Sequence, residues 1–439
     1  MRLKFAFMRF LTGIFILAFL CEFLIYYLVL YQCSYPVLNP EFEDSSIITN
    51  GTVEELRAMI LADTHLLGPY RGHWFDKLRR EWQMYRSFQS AVAIHNPDII
   101  FILGDIFDEG MWTTQTEFDA YLKRFANLFN VEKPIELFVV PGNHDIGFHY
   151  RMSPNLEHRF STAFKSRPVS FVSRRNVHFV LINSMAMEGD GCSICQKAEK
   201  NLKTVAAKLR CTKGVGVCKG IKPLPSYSKP IILQHFPMYR ESDESCQEID
   251  SAPPVLKNEK FRERWECLSR EASEMLIEML RPRVILTGHT HHGCYRFYPE
   301  SKIHEYTVPS FSWRNKNNPT FMLGVFTSNN HALERCPLPQ ETTVIALYVI
   351  GLFVNIFIYF LPRRRFSLHE HKNPKTCPQK LTTIVCRKFQ IFAVLRLHAR
   401  RQKSKPSLDG SETSGAQCRV YLCVILCRFL SRLFSRLMW

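Results

Sequence analysis

The chain has 439 residues, 46% of them hydrophobic, with 57 Lys and Arg against 40 Asp and Glu and a formal net charge of +17. This length and apolar content exclude a disordered chain and leave room for one large domain with insertions. The basic excess does not mark a nucleic-acid binder, because it is confined to the ends. Residues 1–9 hold three basic residues and no acid, and 362–439 hold seventeen basic against three acidic; apart from Glu22, everything else holds 37 against 36. A domain without basic excess has no electrostatic footprint for a polyanion.

Residues 10–31 are almost wholly apolar, with Glu22 their one charged member. About 20 such residues cross a bilayer. The run is too long for the core of a cleaved signal peptide and no Ala-x-Ala spacing follows it, so a retained signal anchor is expected. Within it, Glu22 reads as a protonated carboxyl or one that faces a partner helix. Asn50-Gly51-Thr52 is an N-glycosylation sequon.

Five short apolar runs follow, each ending in residues able to bind a metal: Ala58–Ala62 before Asp63-Thr-His65, Ile99–Leu103 before Gly104-Asp105-Ile-Phe-Asp108, Leu137–Pro141 before Gly142-Asn143-His144-Asp145, Ile231–Gln234 before His235, and Val284–Thr287 before Gly288-His289-Thr-His291. Such runs read as buried strands of a parallel or mixed sheet. In open α/β sheets the ligand lies beyond the carboxyl ends of the strands, where all five clusters fall.

Between these strands, residues 85–95 and 118–129 carry apolar positions at helical spacing, and 270–280 reads as a further helix. His178–Asn183 supplies a sixth strand. Alternation of strand and helix is the α/β signature. The Cys-containing stretch of about 188–267 is expected to be insertion rather than core, its polar end (242–267) forming a loop or lid. Nine cysteines lie between the two long apolar runs. Loop-stapling disulfides are the simplest reading of the cluster from Cys192 to Cys267, with half a zinc site or a redox pair at Cys192-Ser-Ile-Cys195 as the alternatives. The odd total leaves at least one thiol unpaired.

A second apolar run, 344–361, stops at Pro362 and Arg363-Arg364-Arg365 and is long enough to cross with little tilt. Beyond it, 362–439 reads as largely disordered. Arg428, Arg432 and Arg436 are spaced for a basic amphipathic helix on an anionic leaflet, or belong to a tail without function. Positive ends flanking two spans place both termini in the cytosol and the near-neutral 32–343 domain in a lumen, the side on which the sequon falls.

The five strand ends carry the inventory that phosphate-ester hydrolysis requires. Two metals roughly 3.5–4 Å apart activate water and neutralise phosphoryl oxygens, and two cations that close need an anionic bridge. Asp105 is expected to bridge. Asp63, His65 and His291 would complete one site and Asn143, His235 and His289 the other. This mixture of carboxylate, imidazole and amide suits Mn²⁺, Fe or Zn²⁺ rather than Ca²⁺. His144, beside Asn143, is expected to protonate the leaving oxygen, with Asp108 orienting its ring.

These motifs, Asp-x-His, Gly-Asp-x-x-Asp, Gly-Asn-His-Asp, a lone His and Gly-His-x-His, resemble the calcineurin-like metallophosphoesterase superfamily over about 56–330. The resemblance implies a sandwich of two mixed β-sheets flanked by helices, set here between two transmembrane helices, with the same roles for the nine residues. Protein phosphatases of that superfamily carry Arg after the second Asp, where this chain has Glu109, which argues against phosphoprotein substrates.

Leu61-Ala-Asp63-Thr-His65-Leu-Leu-Gly68 and Gly288-His289-Thr-His-His-Gly293, with the two spans, resemble the membrane-bound branch that remodels glycosylphosphatidylinositol (GPI) anchors. That resemblance implies Mn²⁺ and removal of the ethanolamine phosphate on the second mannose of GPI-anchored proteins, between endoplasmic reticulum and Golgi, in company with exit-site cargo machinery. Glu109 is a candidate reader of the ethanolamine cation. Two other readings stay open, a lumenal phosphoesterase for other soluble or lipid esters and a membrane cargo adaptor with a vestigial site.

Overall fold

Strands that are apolar at every position must be buried on both faces, and the arrangement of elements in the computed structural model follows from that need. The structure describes residues 2–43, 54–215 and 218–360; the sequon at Asn50 and the basic tail 362–439 lie outside the described residues. A long helix opens the chain, α1 (Arg2–Phe19) and α2 (Ile25–Leu30) joined by a π turn at Leu20–Leu24. Then come β1 (Leu56–Leu61), α3 (Trp74–His95), β2 (Ile99–Leu103), α4 (Gln115–Leu128), β3 (Glu136–Val140), the one-turn α5 (Asn143–Ile146) and α6 (Pro154–Phe164). β4 (Val169–Arg174), β5 (Val177–Ile182), α7 (Ser193–Thr212), β6 (Ile231–Gln234), α8 (Pro254–Lys257) and α9 (Arg270–Leu280) follow. The last elements are β7 (Val284–Thr287), β8 (Cys294–Tyr298), β9 (Ile303–Thr307), β10 (Thr320–Phe326), β11 (His331–Pro337) and α10 (Glu341–Phe360).

The strands form two mixed sheets, β11-β10-β1-β2-β3 and β4-β5-β6-β7-β9-β8. β1, β2 and β3 run parallel, with Ala58 opposite Ile99 and Ile99 opposite Glu136. β5, β6, β7 and β9 do the same in the second sheet. Because side chains alternate along a strand, each strand splits its apolar residues between two cores. Ala58, Ile60, Phe101, Leu103, Phe179, Leu181, Leu233 and Leu286 meet in one buried cluster between the sheets. Met59, Leu61, Ile100, Ile102, Val180, Ile232 and Ile285 belong to the other, which the helices cover with Met84, Phe88, Phe118, Phe160, Leu202 and Leu276. The result is a sandwich of two sheets between helical layers, and the calcineurin-like α/β expectation holds.

Several boundaries differ from the expectations. The helix expected over 85–95 begins eleven residues earlier at Trp74, where His73 caps its first turn. The strands run to Pro337, past the expected end of the core near 330. The largest correction concerns the stretch expected to be insertion. Ser193–Thr212 is a core helix whose Ile194, Ala198, Leu202, Val205, Ala206 and Leu209 are buried in the helix-covered core. Its lysines occupy the solvent face and disguised a regular three- and four-residue apolar stripe. Residues 242–267 are, as expected, mostly loop, with α8 their one helix.

Among the described residues four disulfides form: Cys33–Cys336, Cys192–Cys195, Cys211–Cys218 and Cys246–Cys294. Cys267 is the buried, unpaired ninth. Cys192 and Cys195 are therefore joined to each other rather than half of a zinc site.

Among the described residues, two helices are long and apolar enough to cross a membrane, Lys4–Leu30 and Glu341–Phe360, against the expected 10–31 and 344–361. They pack side by side, with Leu17 over Gly351 and Phe10 edge-on to Tyr359. Glu22 faces its partner helix, as one of the two readings proposed, and accepts a hydrogen bond from the Tyr348 hydroxyl. The pair is bound to the domain at its base. Trp313 is buried among Leu17, Cys21, Ile25, Tyr26 and Val344, and Arg79 of α3 pairs with Glu341 at 3.0 Å.

Candidate metal centre

All five metal-bearing strand ends converge at one edge of the sandwich, three from the first sheet and two from the second. The sheets are stitched together there. His235 Nδ1 donates to the Leu103 carbonyl at 2.7 Å, and the His289 N–H donates to the Asp63 carboxylate at 3.1 Å. To turn side chains back over the strand ends, Asp63, His65, Asp105, His289 and His291 adopt left-handed backbone conformations with φ between 45° and 75°. Such conformations cost about 1–3 kcal/mol each in non-glycine residues and cluster at functional sites. Glycine supplies the clearance around them. A Cβ on Gly104 would lie 2.5 Å from His235 Nδ1, and one on Gly142 would lie 2.1 Å from Asp105 Oδ1.

Asp105 stands at the middle. Its Oδ2 lies 3.4 Å from His65 Nε2 and 3.3 Å from His235 Nε2, while Oδ1 accepts the His144 main-chain N–H at 2.8 Å. On one side Asp63, His65 and His291 gather around it, and on the other His235 and His289 do so. Asn143 Oδ1 joins the second group, 3.1 Å from His235 Nε2. The structure thus brings together all seven expected ligands in the two expected sets.

Two contacts test whether these donors fit metal ions. His65 Nε2 faces His291 Nε2 at 3.2 Å, and His235 Nε2 faces His289 Nδ1 at 3.2 Å. With the other nitrogens of His235 and His289 turned to main-chain carbonyls, the facing nitrogens converge on one point that a cation satisfies, whether the proton Asp105 favours on His235 or a metal ion that replaces it. The remote ring nitrogens are held as metal-binding histidines require. His65 Nδ1 reaches Asp108 Oδ1 at 3.1 Å, His235 Nδ1 the Leu103 carbonyl and His289 Nε2 the Trp265 carbonyl at 2.6 Å. The donors fit a pair of divalent cations.

Electrostatics agree. Burial raises the Asp105 carboxyl, but the adjoining imidazoles of His235, His144 and His65 more than reverse this and hold it well below the usual carboxylate range. It is the one anion both groups share. Burial and the nearby histidine charges push His289 down to about 3 and His291 well below its ordinary value, so both are neutral and ready to donate. Burial also opposes a charge on His235, yet Asp105 beside it raises this ring to about 9. Asp145 is driven up to about 7 by burial and by Asp105, against three main-chain N–H donors from Gly142, Phe107 and Ile106. It braces the Asp105 and Asn143 turns.

Two expectations are corrected. Asp108 does not orient His144 through its carboxylate, which is taken by His65. The His144 ring instead donates Nδ1–H to the Asp108 main-chain carbonyl at 2.8 Å, leaving Nε2 free above the site, its ring 4.7 Å from that of His65. Glu109 does not face a ligand. It is fully buried and accepts the main-chain N–H groups of Tyr70 and Arg71, so a carboxylate next to the motif serves the loop rather than a substrate. Sequence reasoning missed Arg314, whose Nη2 lies 3.6 Å from Asp108 Oδ2, because no motif surrounds it. Two other clusters of potential ligands, His149-Asp190-Cys195 and Asp243-Cys246-Cys294, have their sulfurs in disulfides.

The family model for calcineurin-like phosphoesterases matches residues 56–293. The chain is also similar to proteins named Metallophosphoesterase 1. That of Cricetulus griseus is 48% identical over 333 residues, covering 75% of this chain and 82% of the relative. That of Mus musculus is 46% identical over 348 residues, 77% and 86% of the two chains. That of Gallus gallus is 46% identical over 333 residues, 75% and 83%.

Proposed function

Because this chain belongs to the calcineurin-like phosphoesterase family and is a metal-dependent hydrolase of phosphate esters, we propose that it is a lumenal phosphodiesterase that removes the ethanolamine phosphate branch from the second mannose of GPI anchors. Asp105 would be shared by two divalent ions, for which Mn²⁺ is the metal we propose. Asp63, His65 and His291 would hold one, and Asn143, His235 and His289 the other. When bound, the pair makes water acidic enough to attack at neutral pH and neutralises the phosphoryl oxygens. The remaining work falls to side chains. His144 Nε2 gives its proton to the departing mannose oxygen, while the Asp108 carbonyl fixes the ring by accepting Nδ1–H. Asp108 Oδ1, the Leu103 carbonyl and the Trp265 carbonyl keep His65, His235 and His289 in the tautomers that expose their ligating nitrogens.

The observation that carries this reading is the convergence of two ligand sets on one buried carboxylate, in a domain bound through Trp313 and Arg79 to two apolar helices. The likeness to proteins named Metallophosphoesterase 1 supports the same reading. A domain so tethered meets membrane-anchored phosphodiesters more readily than soluble ones. Both termini lie in the cytosol, and the protein works at endoplasmic reticulum exit sites, the intermediate compartment and the Golgi, with GPI-anchored proteins as substrates and the exit-site cargo machinery as partner. The test is mass spectrometry of anchor glycans from cells lacking the protein. The second mannose should retain its ethanolamine phosphate, and Asp105→Asn should fail to restore its removal. An unchanged ethanolamine phosphate count would overturn the substrate assignment.

A further inference from the structure

A phosphodiester anion approaching this site meets the guanidinium of Arg314 beside Asp108. Among the described residues, Arg314 is the single Lys or Arg ion-paired with a carboxylate of the site, Nη2 standing 3.6 Å from Asp108 Oδ2. That oxygen is buried and has no hydrogen bond, since Asp108 Oδ1 alone serves His65. The Arg314 side chain is 37% exposed while Asp108 is buried, so it lies between the site and solvent. A purely structural partner would be expected to lie within hydrogen-bond distance of the oxygen it neutralises; at 3.6 Å the arginine is beside Asp108 rather than bonded to it.

The segment carrying Arg314 is fixed to the site from behind. Ser310 Oγ donates to the Asp63 carbonyl at 2.8 Å, the Phe311 N–H to the Ala62 carbonyl at 3.0 Å and Asn315 Nδ2 to Ser310 Oγ at 3.0 Å. The Arg314 N–H itself donates to Ser312 Oγ at 3.1 Å. Its neighbour Trp313 is held by Gln83 and Arg80 of α3 and by the Pro339 carbonyl, with the indole packed between the two apolar helices. A long cationic side chain on so constrained a backbone loses less freedom on gripping an anion than one on a mobile loop.

We infer that Arg314 binds the non-bridging phosphoryl oxygens of the substrate beside the metal centre, swinging from Asp108 Oδ2 to the phosphate, and is a substrate-binding residue of the reaction. This rests on the phosphodiesterase reading of the site. A planar guanidinium offers two parallel N–H donors to a phosphate, which ammonium cannot reproduce.

The test uses the full-length chain in detergent, loaded with Mn²⁺, with bis(p-nitrophenyl) phosphate as substrate and inorganic phosphate as inhibitor. Arg314→Ala should raise KM and the inhibition constant of phosphate about ten- to hundredfold, the size of a lost charge-assisted hydrogen bond. Bound metal per chain should stay unchanged, and phosphate should protect the variant less against heat than it protects the parent. Arg314→Lys should recover only part of the loss, and added guanidinium ion should improve phosphate binding to Arg314→Ala. Unaltered phosphate affinity in Arg314→Ala, with or without loss of metal, would overturn the inference and leave Arg314 as a structural partner of Asp108. A parent protein that binds no metal and hydrolyses nothing would overturn the phosphodiesterase reading as well, which separates the two failures.

Discussion

Asp108 illustrates how one side chain is shared between two tasks at the residue scale. Its carboxylate holds His65 and its main-chain carbonyl holds His144, so the proposed acid and a proposed metal ligand are locked to the same residue through different atoms. Burial alone would raise its pKa, but the hydrogen bond and charge of His65, helped by Arg314 and His144, hold it below the ordinary value. A persistent carboxylate at this position raises the basicity of the His65 nitrogen that faces the other ligands. Asp108→Asn should therefore weaken metal binding about ten- to hundredfold, measured by metal titration of the chelator-stripped chain. Unchanged metal affinity with only catalysis impaired would mean that the carboxylate serves His144 after all. Residue types and their positions at strand ends were legible beforehand; which atom of Asp108 met which ring was not, because a spacing of three residues fixes no side-chain direction across a turn.

Strands and helices carry the next level of order. The site depends on two sheets meeting face to face, and Phe179 and Phe101 make that meeting, their centroids 4.8 Å apart across the sandwich. Removing a fully buried ring costs about 3–5 kcal/mol, so Phe179→Ala should markedly lower the midpoint of thermal unfolding of the detergent-solubilised chain. A shift no larger than that of the exposed Lys203→Ala would show that the intersheet core does not hold the fold. Such strands announce themselves, since nearly every position is apolar. Helix α7 did not, because its apolar stripe runs through a Lys-rich segment between cysteines, and only the presence of an uncovered sheet face makes that stripe a core element.

Trp313 joins the apolar helix pair to the candidate metal centre at the scale of the whole molecule. It is one residue from Arg314 and packs among side chains of the first and last helices, while Cys33–Cys336 closes the chain just beyond the first helix onto the strand that leads to the second. Trp313→Ala should raise the inhibition constant of phosphate in the same direction as Arg314→Ala, about two- to tenfold for a lost packing contact worth roughly 0.5–1.5 kcal/mol at the arginine, with metal content held. Phosphate inhibition indistinguishable from that of the parent would show that the helix pair does not position the site. The Glu22–Tyr348 hydrogen bond gives the pair a fixed register, since a carboxyl in an apolar run is costly without a partner.

Hydrophobic runs with metal-binding residues at their ends determined, without coordinates, that this protein is an α/β phosphoesterase with seven candidate ligands in two sets, because strand periodicity and ligand chemistry are local properties. Only the tertiary structure decided which runs enter which of the two sheets, that Asp108 serves His65, that Glu109 is spent on a loop and that Arg314 and Trp313 link the site to the helix pair. Those depend on contacts between residues as far apart as Asp108 and Arg314, whose approach is set by packing and which no periodicity in the chain records.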